Sequence, residues 1–387
     1  MPAPASSPGG ATPRPADDAT GALPWIAAEA DLEHRPRLGT GRIVLAVLSV
    51  LLVAALVAWG LPWVTGAGWS EILTSLSALP AWAVPSVVVL GVLAVALEAL
   101  TLRTALRGAP YGDTLRAHAV GSAAATAVPG GGLFGPLLLG YLLRRSGLPL
   151  RVILTGIVAG SLVELAVASL LVPLLGLTAY AVASLGGVTA VPLPGGIGAA
   201  LAVIVLGALA VGGMAVLLRR SVLAGLLDQF AAIVPLPAPP GRQETGPATD
   251  DRADDGAARP ALAEAVLTER DHLVRLLRTR PLGLLLPTAA ARTAQWLALV
   301  LALQAVGAEL PLLLTVAVFA LGRVAALLPL TPGGAGIAET VGAAALVGLG
   351  VGAGPAATAV LLLGITTWVV PLLGGGIAAL LPGRRRG

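Results

Sequence analysis

Apolar residues in this chain gather into uninterrupted runs instead of scattering as they would through a soluble core. The runs cover approximately 43–64, 82–105, 152–176, 197–218, 282–306 and 355–381. At about 1.5 Å of rise per residue, each is long enough as a helix to cross roughly 30 Å of hydrocarbon. Two further apolar regions, 115–143 and 311–350, are broken in the middle by VPGGGLFG and LTPGGAGIAE. The pattern predicts an all-α polytopic integral membrane protein with about six full spans and two Pro/Gly-broken, re-entrant helical elements.

The segments outside these runs set the domain limits. Residues 1–41 are rich in Ala, Pro, Ser and Asp without periodicity, which predicts a disordered tail. The first run follows Arg42, too far from the start for an ordinary signal peptide, and reads as a retained anchor. An N-terminal membrane half, 42–220, is followed by a disordered linker at 221–260 containing PAPPGRQETGPATDDRADDGAARP. Over 261–280, Leu262, Val266, Leu273 and Leu277 fall on one stripe while Arg270, Arg275, Arg278 and Arg280 lie mostly elsewhere. That stripe suits either an interfacial helix on anionic lipid or a helix packed on the protein's own loops. The C-terminal membrane half is 281–387.

Composition agrees and adds orientation. Hydrophobic residues make up 56% of the 387, charged residues 11%, and the mean hydropathy is +0.90. Cysteine, lysine and asparagine are all absent, which removes disulfides, thiolate ligands, lysine Schiff bases and N-glycosylation. All positive charge rests on arginine, so arginine placement decides topology. Arg35, Arg37, Arg42, Arg103, Arg107, Arg116, Arg144, Arg145, Arg151, Arg219, Arg220 and Arg384 to Arg386 all fall on one side of the expected spans. The opposite loops, 65–80, 177–196 and 307–310, contain none. The expectation is a multi-pass protein of the cell membrane with both termini and the 219–280 loop in the cytoplasm.

The two broken regions occupy matching places, each between a full span before and a full span after, and the arginine count makes the two units inverted repeats. Gly/Pro-interrupted segments at matching positions of inverted halves point to a binding site near the bilayer midplane. The reason is that a break frees backbone N–H and C=O groups that lipid cannot satisfy, so such backbone survives only against protein or a watery cavity. Helix packing is the competing explanation, because glycines also permit close approach. Gly130, Gly132 and Gly135 fit G-x-G-x-x-G, but no strand precedes them, and a dinucleotide site is rejected.

A charge at bilayer depth is expensive and faces a cavity or a partner. Within the apolar regions, Glu98, Glu164, Arg292, Arg323 and Glu339 qualify, with Gln295 and Gln304 as polar neighbours. Arg292 lies too far inside its span to snorkel, whereas Glu98 and Arg103 lie nearer an interface. Arg323 and Glu339 flank the second break and suit a mutual ion pair, structural or substrate-binding. The three histidines read as cytoplasmic or near-cytoplasmic, with His272 a solvated surface residue. Ser161 and Ser169 are isolated and suit bonds to helix carbonyls. No catalytic constellation, cofactor site or metal site is expected.

The stretch LPLTPGGAGIAETVGAAALVGLGVGAGPAATAVLLLGITTWVVPLLGG, from Leu328 to Gly375, resembles the C-terminal hallmark of the lysylphosphatidylglycerol synthase transmembrane (flippase) domain family. AAATAVPGGGLFGPLLLGYLLRRSGLPLRVILTGIVAGSLVE is similar to that family's first hallmark. The resemblance covers roughly 43–383. It implies roles for Pro332, Gly333, Gly334, Gly336 and Glu339 in the second hallmark and for Pro129, Gly130 and Gly131 in the first. Gly364 stands where many members carry an arginine. Only LPGRRRG follows the last span, so the resemblance implies the translocating half without the soluble aminoacyl-transferase domain.

The combined expectation is a flippase-like protein that binds or moves a polar phospho-, aminoacyl- or glyco-lipid. Glycine-rich breaks and half-helix ends would favour a phosphate. The substrate-binding candidates are Pro129, Gly130, Gly131, Gly132, Glu164, Arg292, Gln295, Arg323, Pro332, Gly333, Gly334, Gly336 and Glu339. Membrane lipids are the expected partners, with no nucleic acid. The alternative is a non-transporting scaffold for a lipid-modifying or glycosyl-transfer enzyme. The topology has a direct test in this cysteine-free chain. A cysteine introduced at Gly186 should react with an impermeant maleimide in intact cells while one at Gly246 stays protected; the reverse pattern would overturn the map.

Overall fold

The computed structural model describes residues 48, 51–106, 108–127, 131–188, 193–217, 271, 274–276, 278–327 and 331–381. The expected tail at 1–41, the linker at 221–260 and most of the stripe at 261–280, His272 included, lie outside the described residues. All regular elements among the described residues are helical. Helix α1 (Leu51–Thr65) meets α2 (Trp69–Ser77) at 96°. A first unit then comprises α3 (Ala83–Ala105), the broken pair α4 (Tyr111–Ala127) and α5 (Gly131–Arg145), and α6, which runs from Leu150–Ala166 into Val172–Leu185. Helix α7 (Gly196–Leu217) follows. A second unit repeats the order with α8 (Pro281–Ala305), the pair α9 (Leu312–Ala325) and α10 (Ile337–Gly348), and α11, which runs from Ala353–Gly364 into Val370–Leu380.

Among the described residues, four helices are long and apolar enough to cross a membrane alone, or up to five if the bent α1–α2 pair counts as one span. This count does not confirm the expected number of about six full spans. The run at 43–64 does not continue straight: Gly66, at φ 74°, turns the chain into α2, so the expected loop 65–80 holds a helix. Helix α7, Gly196–Leu217, lies where the span at 197–218 was expected, and its described apolar stretch is Gly196–Leu209. Helix α6 outruns the expected 152–176, because LTAYAVASL continues it to Leu185, where Gly186 and the positive φ of Gly187 end it. Most of the expected external loop at 177–196 is therefore shorter than the pattern implied.

Three π-turns interrupt these helices, at Leu56–Gly60, Val167–Leu171 and Ile365–Val369, and each runs directly into an X-Pro step at Pro62, Pro173 or Pro371. Proline supplies no N–H and its ring collides with the carbonyl four residues back, so widening the preceding turn relieves the clash without breaking the helix. In α1 the carbonyl that loses its helical donor is that of Ala58, and Trp69 Nε1 on α2 donates to it at 2.8 Å. The α1–α2 bend is thus held by a bond that proline made available. The other two π-turns occupy equivalent places in the two units, each followed by the same pentapeptide, VPLLG, at 172–176 and 370–374.

Packing repeats the correspondence. The first helices of the units, α3 and α8, lie against each other through buried Ala94, Ala291 and Ala294 and a 2.8 Å hydrogen bond between Thr101 Oγ1 and Thr288 Oγ1. Around this pair the packing is reciprocal: the second half of α6 lies on α9 of the other unit, and the second half of α11 lies on α4. Both crossings are made by small residues, Gly176 against Ala320 and Gly375 against Ala119 and Ala123. Apolar burial drives nothing between helices in lipid, so this close approach supplies van der Waals contact that larger side chains would forfeit.

Two adjacent glycines separate packing from propensity. A methyl at Gly375 would overlap the Ala119 carbonyl, whereas one at Gly374 meets nothing within 4 Å. Gly374→Ala should raise thermal stability in detergent by up to about 1 kcal/mol, the helix-propensity gain. Gly375→Ala should lower it by roughly 1–3 kcal/mol despite the same gain, as overpacking does. Equal shifts for the two variants would show that the α4–α11 crossing is not as tight as described.

Candidate functional site

Arg292 sits in the fourth turn of α8 with only 7% of its surface exposed. Helix α8 begins at Pro281, which needs no N–H partner in the first turn, and its PLGLLLPTAAA stretch carries the chain inward before the charge arrives. The guanidinium ties three helices together. Nη1 donates to Gln295 Oε1 at 2.6 Å, one turn along α8. Nη2 donates to Glu98 Oε1 on α3 at 2.8 Å and also to Glu164 Oε1 on α6. Nε is buried and has no partner.

The network extends to a fourth helix. The other oxygen of Glu98 lies 3.1 Å from Nε2 of His118 on α4, and Ser122 Oγ, one turn further along α4, is 3.4 Å from the same nitrogen. His118, expected only as a cytoplasmic or near-cytoplasmic histidine, is thereby part of the cluster. It falls inside the apolar region 115–143. Glu98, expected nearer an interface, is also drawn into the cluster, because α3 packs along α8 and brings the carboxylate to Arg292.

These groups line a cavity of about 320 Å³ between α3, α4, α5, α6 and α8, together with Thr101, Ser161 and Thr288. Its α4–α5 wall is thin because Gly121 and Gly135 meet backbone to side, leaving no room for a Cβ at either. Arg292 and Glu98 are largely covered, with side-chain exposures of 8% and 18%, whereas Glu164 is 38% exposed and is the carboxylate most open to an incoming ligand. Water-sized probes fit here, so the polar groups face a space and not a packed core.

The second break lines a smaller cavity of about 30 Å³, room for about one water, formed by Arg323, Gly333, Gly334, Glu339, Thr367 and Trp368 among others. The expected Arg323–Glu339 ion pair is not formed, because the carboxylate is engaged elsewhere. Its Oε2 accepts the Gly336 N–H at 2.6 Å, capping the start of α10 from the third helical position, and its Oε1 accepts from Trp368 Nε1 at 3.2 Å. Gly364 explains one departure from the family pattern: any side chain there would meet Trp368 Nε1 beside this carboxylate. Arg323 Nε is buried without a hydrogen-bond partner.

The remaining candidates divide between the two places. Gly333, Gly334 and Gly336 all have positive φ, at 59°, 73° and 83°. Gly333 and Gly334 line the small cavity, but Gly336 turns towards α1, where a Cβ would lie 2.9 Å from Leu56 Cβ. Pro332 opens a 3-10 turn. Gly131 and Gly132 begin α5, and Pro129 and Gly130 lie outside the described residues. Gln304 is exposed near the end of α8 and lines neither cavity. Glu164, Arg292 and Gln295 thus come together with Glu98 and His118, while Arg323 and Glu339 belong to the second break.

No curated protein matches the sequence. The family described as the lysylphosphatidylglycerol synthase TM region matches residues 46–375, which takes in both broken units, the Arg292 cluster and all the glycines just placed. A match over nearly the whole chain, carried by helices long and apolar enough to span a membrane, makes this protein a member of the lysylphosphatidylglycerol synthase transmembrane-region family.

Proposed function

We propose that this protein binds the polar head group of a membrane lipid in the cavity between α3, α4, α5, α6 and α8 and moves that lipid between leaflets without altering it chemically. The observation that carries the reading is Arg292, a buried guanidinium held by carboxylates from two other helices at the edge of a water-sized space. Taking such ions out of water costs several kcal/mol each, and a purely structural core of alanines and leucines would be cheaper. The head group of a phospho-, aminoacyl- or glyco-lipid offers charges of both signs, and the cavity offers Glu164 and Arg292 to meet them. The reciprocal packing of the two units supports their being inverted repeats, with the cavity of the first unit and the small cavity of the second as counterparts. The setting is the cell membrane, with both termini in the cytoplasm.

Purified protein in liposomes should speed inter-leaflet exchange of a fluorescent aminoacylated or anionic phospholipid at least tenfold over protein-free vesicles. Ser161→Phe, which fills the cavity from its exposed wall, should reduce that rate at least fivefold while leaving the thermal unfolding temperature within a few degrees. No exchange of any head group by folded protein would replace this reading with that of a scaffold for a lipid-modifying enzyme. Undiminished exchange by Ser161→Phe would place the route elsewhere.

A further inference from the structure

The ionisable side chains of the helical core do not balance. Around the two cavities stand three carboxylates, Glu98, Glu164 and Glu339, against two guanidiniums, Arg292 and Arg323, with His118 as the one imidazole. Glu98, Glu164, Arg292 and His118 all line the larger cavity, while Arg323 and Glu339 bring one charge of each sign to the smaller one. Among the described residues of the helices packed here, no other charge corrects the sum. Helix α11, packed on α4, has no ionisable side chain. On α5 the only charges are Arg144 and Arg145 in its last turn, and on α3 Arg103 lies exposed beyond Glu98 near the helix end. On α4 itself, Asp113 lies in the first turn and Arg116 is engaged with the carbonyl of Ala378 at the end of α11.

One negative charge is therefore left over wherever His118 is neutral. An isolated charge in a membrane protein's interior is costly enough that some cation must neutralise it. The Glu98–His118 pair is built to hold that cation as a proton. The pair is in direct contact at 3.1 Å, Ser122 offers a hydroxyl to the same nitrogen, and both side chains border the cavity, 18% exposed, so a proton can pass between them and cavity water. Arg292 fixes the other oxygen of Glu98, which leaves the oxygen facing His118 as the one that shares the proton.

We propose that the cavity is a proton site as well as a head-group site, and that the two occupants exclude each other. The empty cavity carries one proton on the Glu98–His118 pair. A head group bearing an ammonium brings the same positive charge to the open side of Glu164, and the proton leaves to cavity water. No bond other than this N–H or O–H is made or broken. Lipid movement in one direction is then tied to proton movement in the other, one for one, which gives a protein without a nucleotide-hydrolysis motif a source of free energy. This rests on the translocation reading above and goes beyond it by naming the coupling ion.

The test uses the full chain in liposomes with the membrane potential clamped at zero by potassium and valinomycin. A trace fluorescent aminoacylated phospholipid is added, and its distribution between leaflets is read by an impermeant quencher after exchange is complete. A transmembrane difference of one pH unit should drive the lipid towards the leaflet facing the acidic side, to a ratio approaching about tenfold for one proton per lipid. His118→Gln should bring the ratio to one. Rapid exchange that ends at a ratio of one in the unmodified protein would overturn proton coupling and leave the translocation reading standing. Accumulation on the alkaline side would overturn mutual exclusion, an undiminished ratio in His118→Gln would remove that residue from the proton site, and no exchange with or without the gradient would sink both readings.

Discussion

A guanidinium at bilayer depth is stable only if its counter-charges are also there, and this constraint organises the membrane units. Arg292 is buried in the fourth turn of its helix, so the carboxylates must come to it. Glu98 arrives because α3 packs along α8, and Glu164 arrives because α6 packs on α3 and α8. Removing Arg292 would leave both carboxylates without their guanidinium, at a cost of about 3–5 kcal/mol. The four helices that meet around Arg292 are thereby fixed relative to one another by electrostatics, while alanines and glycines set how closely they approach.

Around that centre the chain handles the two problems of lipid-embedded helices, unsatisfied backbone and absent hydrophobic drive, by similar devices in each unit. Proline is placed where a π-turn can absorb it, and small residues are placed where helices from opposite units cross. The breaks are closed by side chains: Glu339 caps α10 and binds Trp368, so the carboxylate that looked most available for a ligand has a structural duty. The polar groups left facing open space are those of the first unit and Arg292. The cavity of the first unit is about 320 Å³, whereas the one beside the second break is about 30 Å³.

His118 shows how a site residue escapes linear inspection. Its neighbours in sequence, DTLRAHAVGSAAATA, are small and mildly polar, and none of them marks the ring as part of a site. Only the position of α4 against α3 turns the ring towards Glu98. Arg323 and Glu339 show the opposite error. Their spacing across the break suggested a pair, but the carboxylate finds a backbone N–H three residues back before any guanidinium can reach it, because a local cap costs less ordering than a bond across two arms.

Hydropathy alone settled that the chain is a multi-pass helical protein, since the length of an apolar run and the thickness of hydrocarbon are compared without any knowledge of neighbours. The two breaks were equally plain, because proline and glycine act on their own backbone, and the positive φ values at Gly333, Gly334 and Gly336 follow from that local chemistry. The VPLLG repeat was also there to be found. What tertiary structure alone decided is which charges meet. Glu98, His118, Glu164 and Arg292 are separated by up to 194 residues, and no periodicity along one helix states which face of another it will oppose. That choice belongs to helix packing, where alanines at 94, 291 and 294 and glycines at 176 and 375 let particular faces come together and so bring the charges within bonding distance.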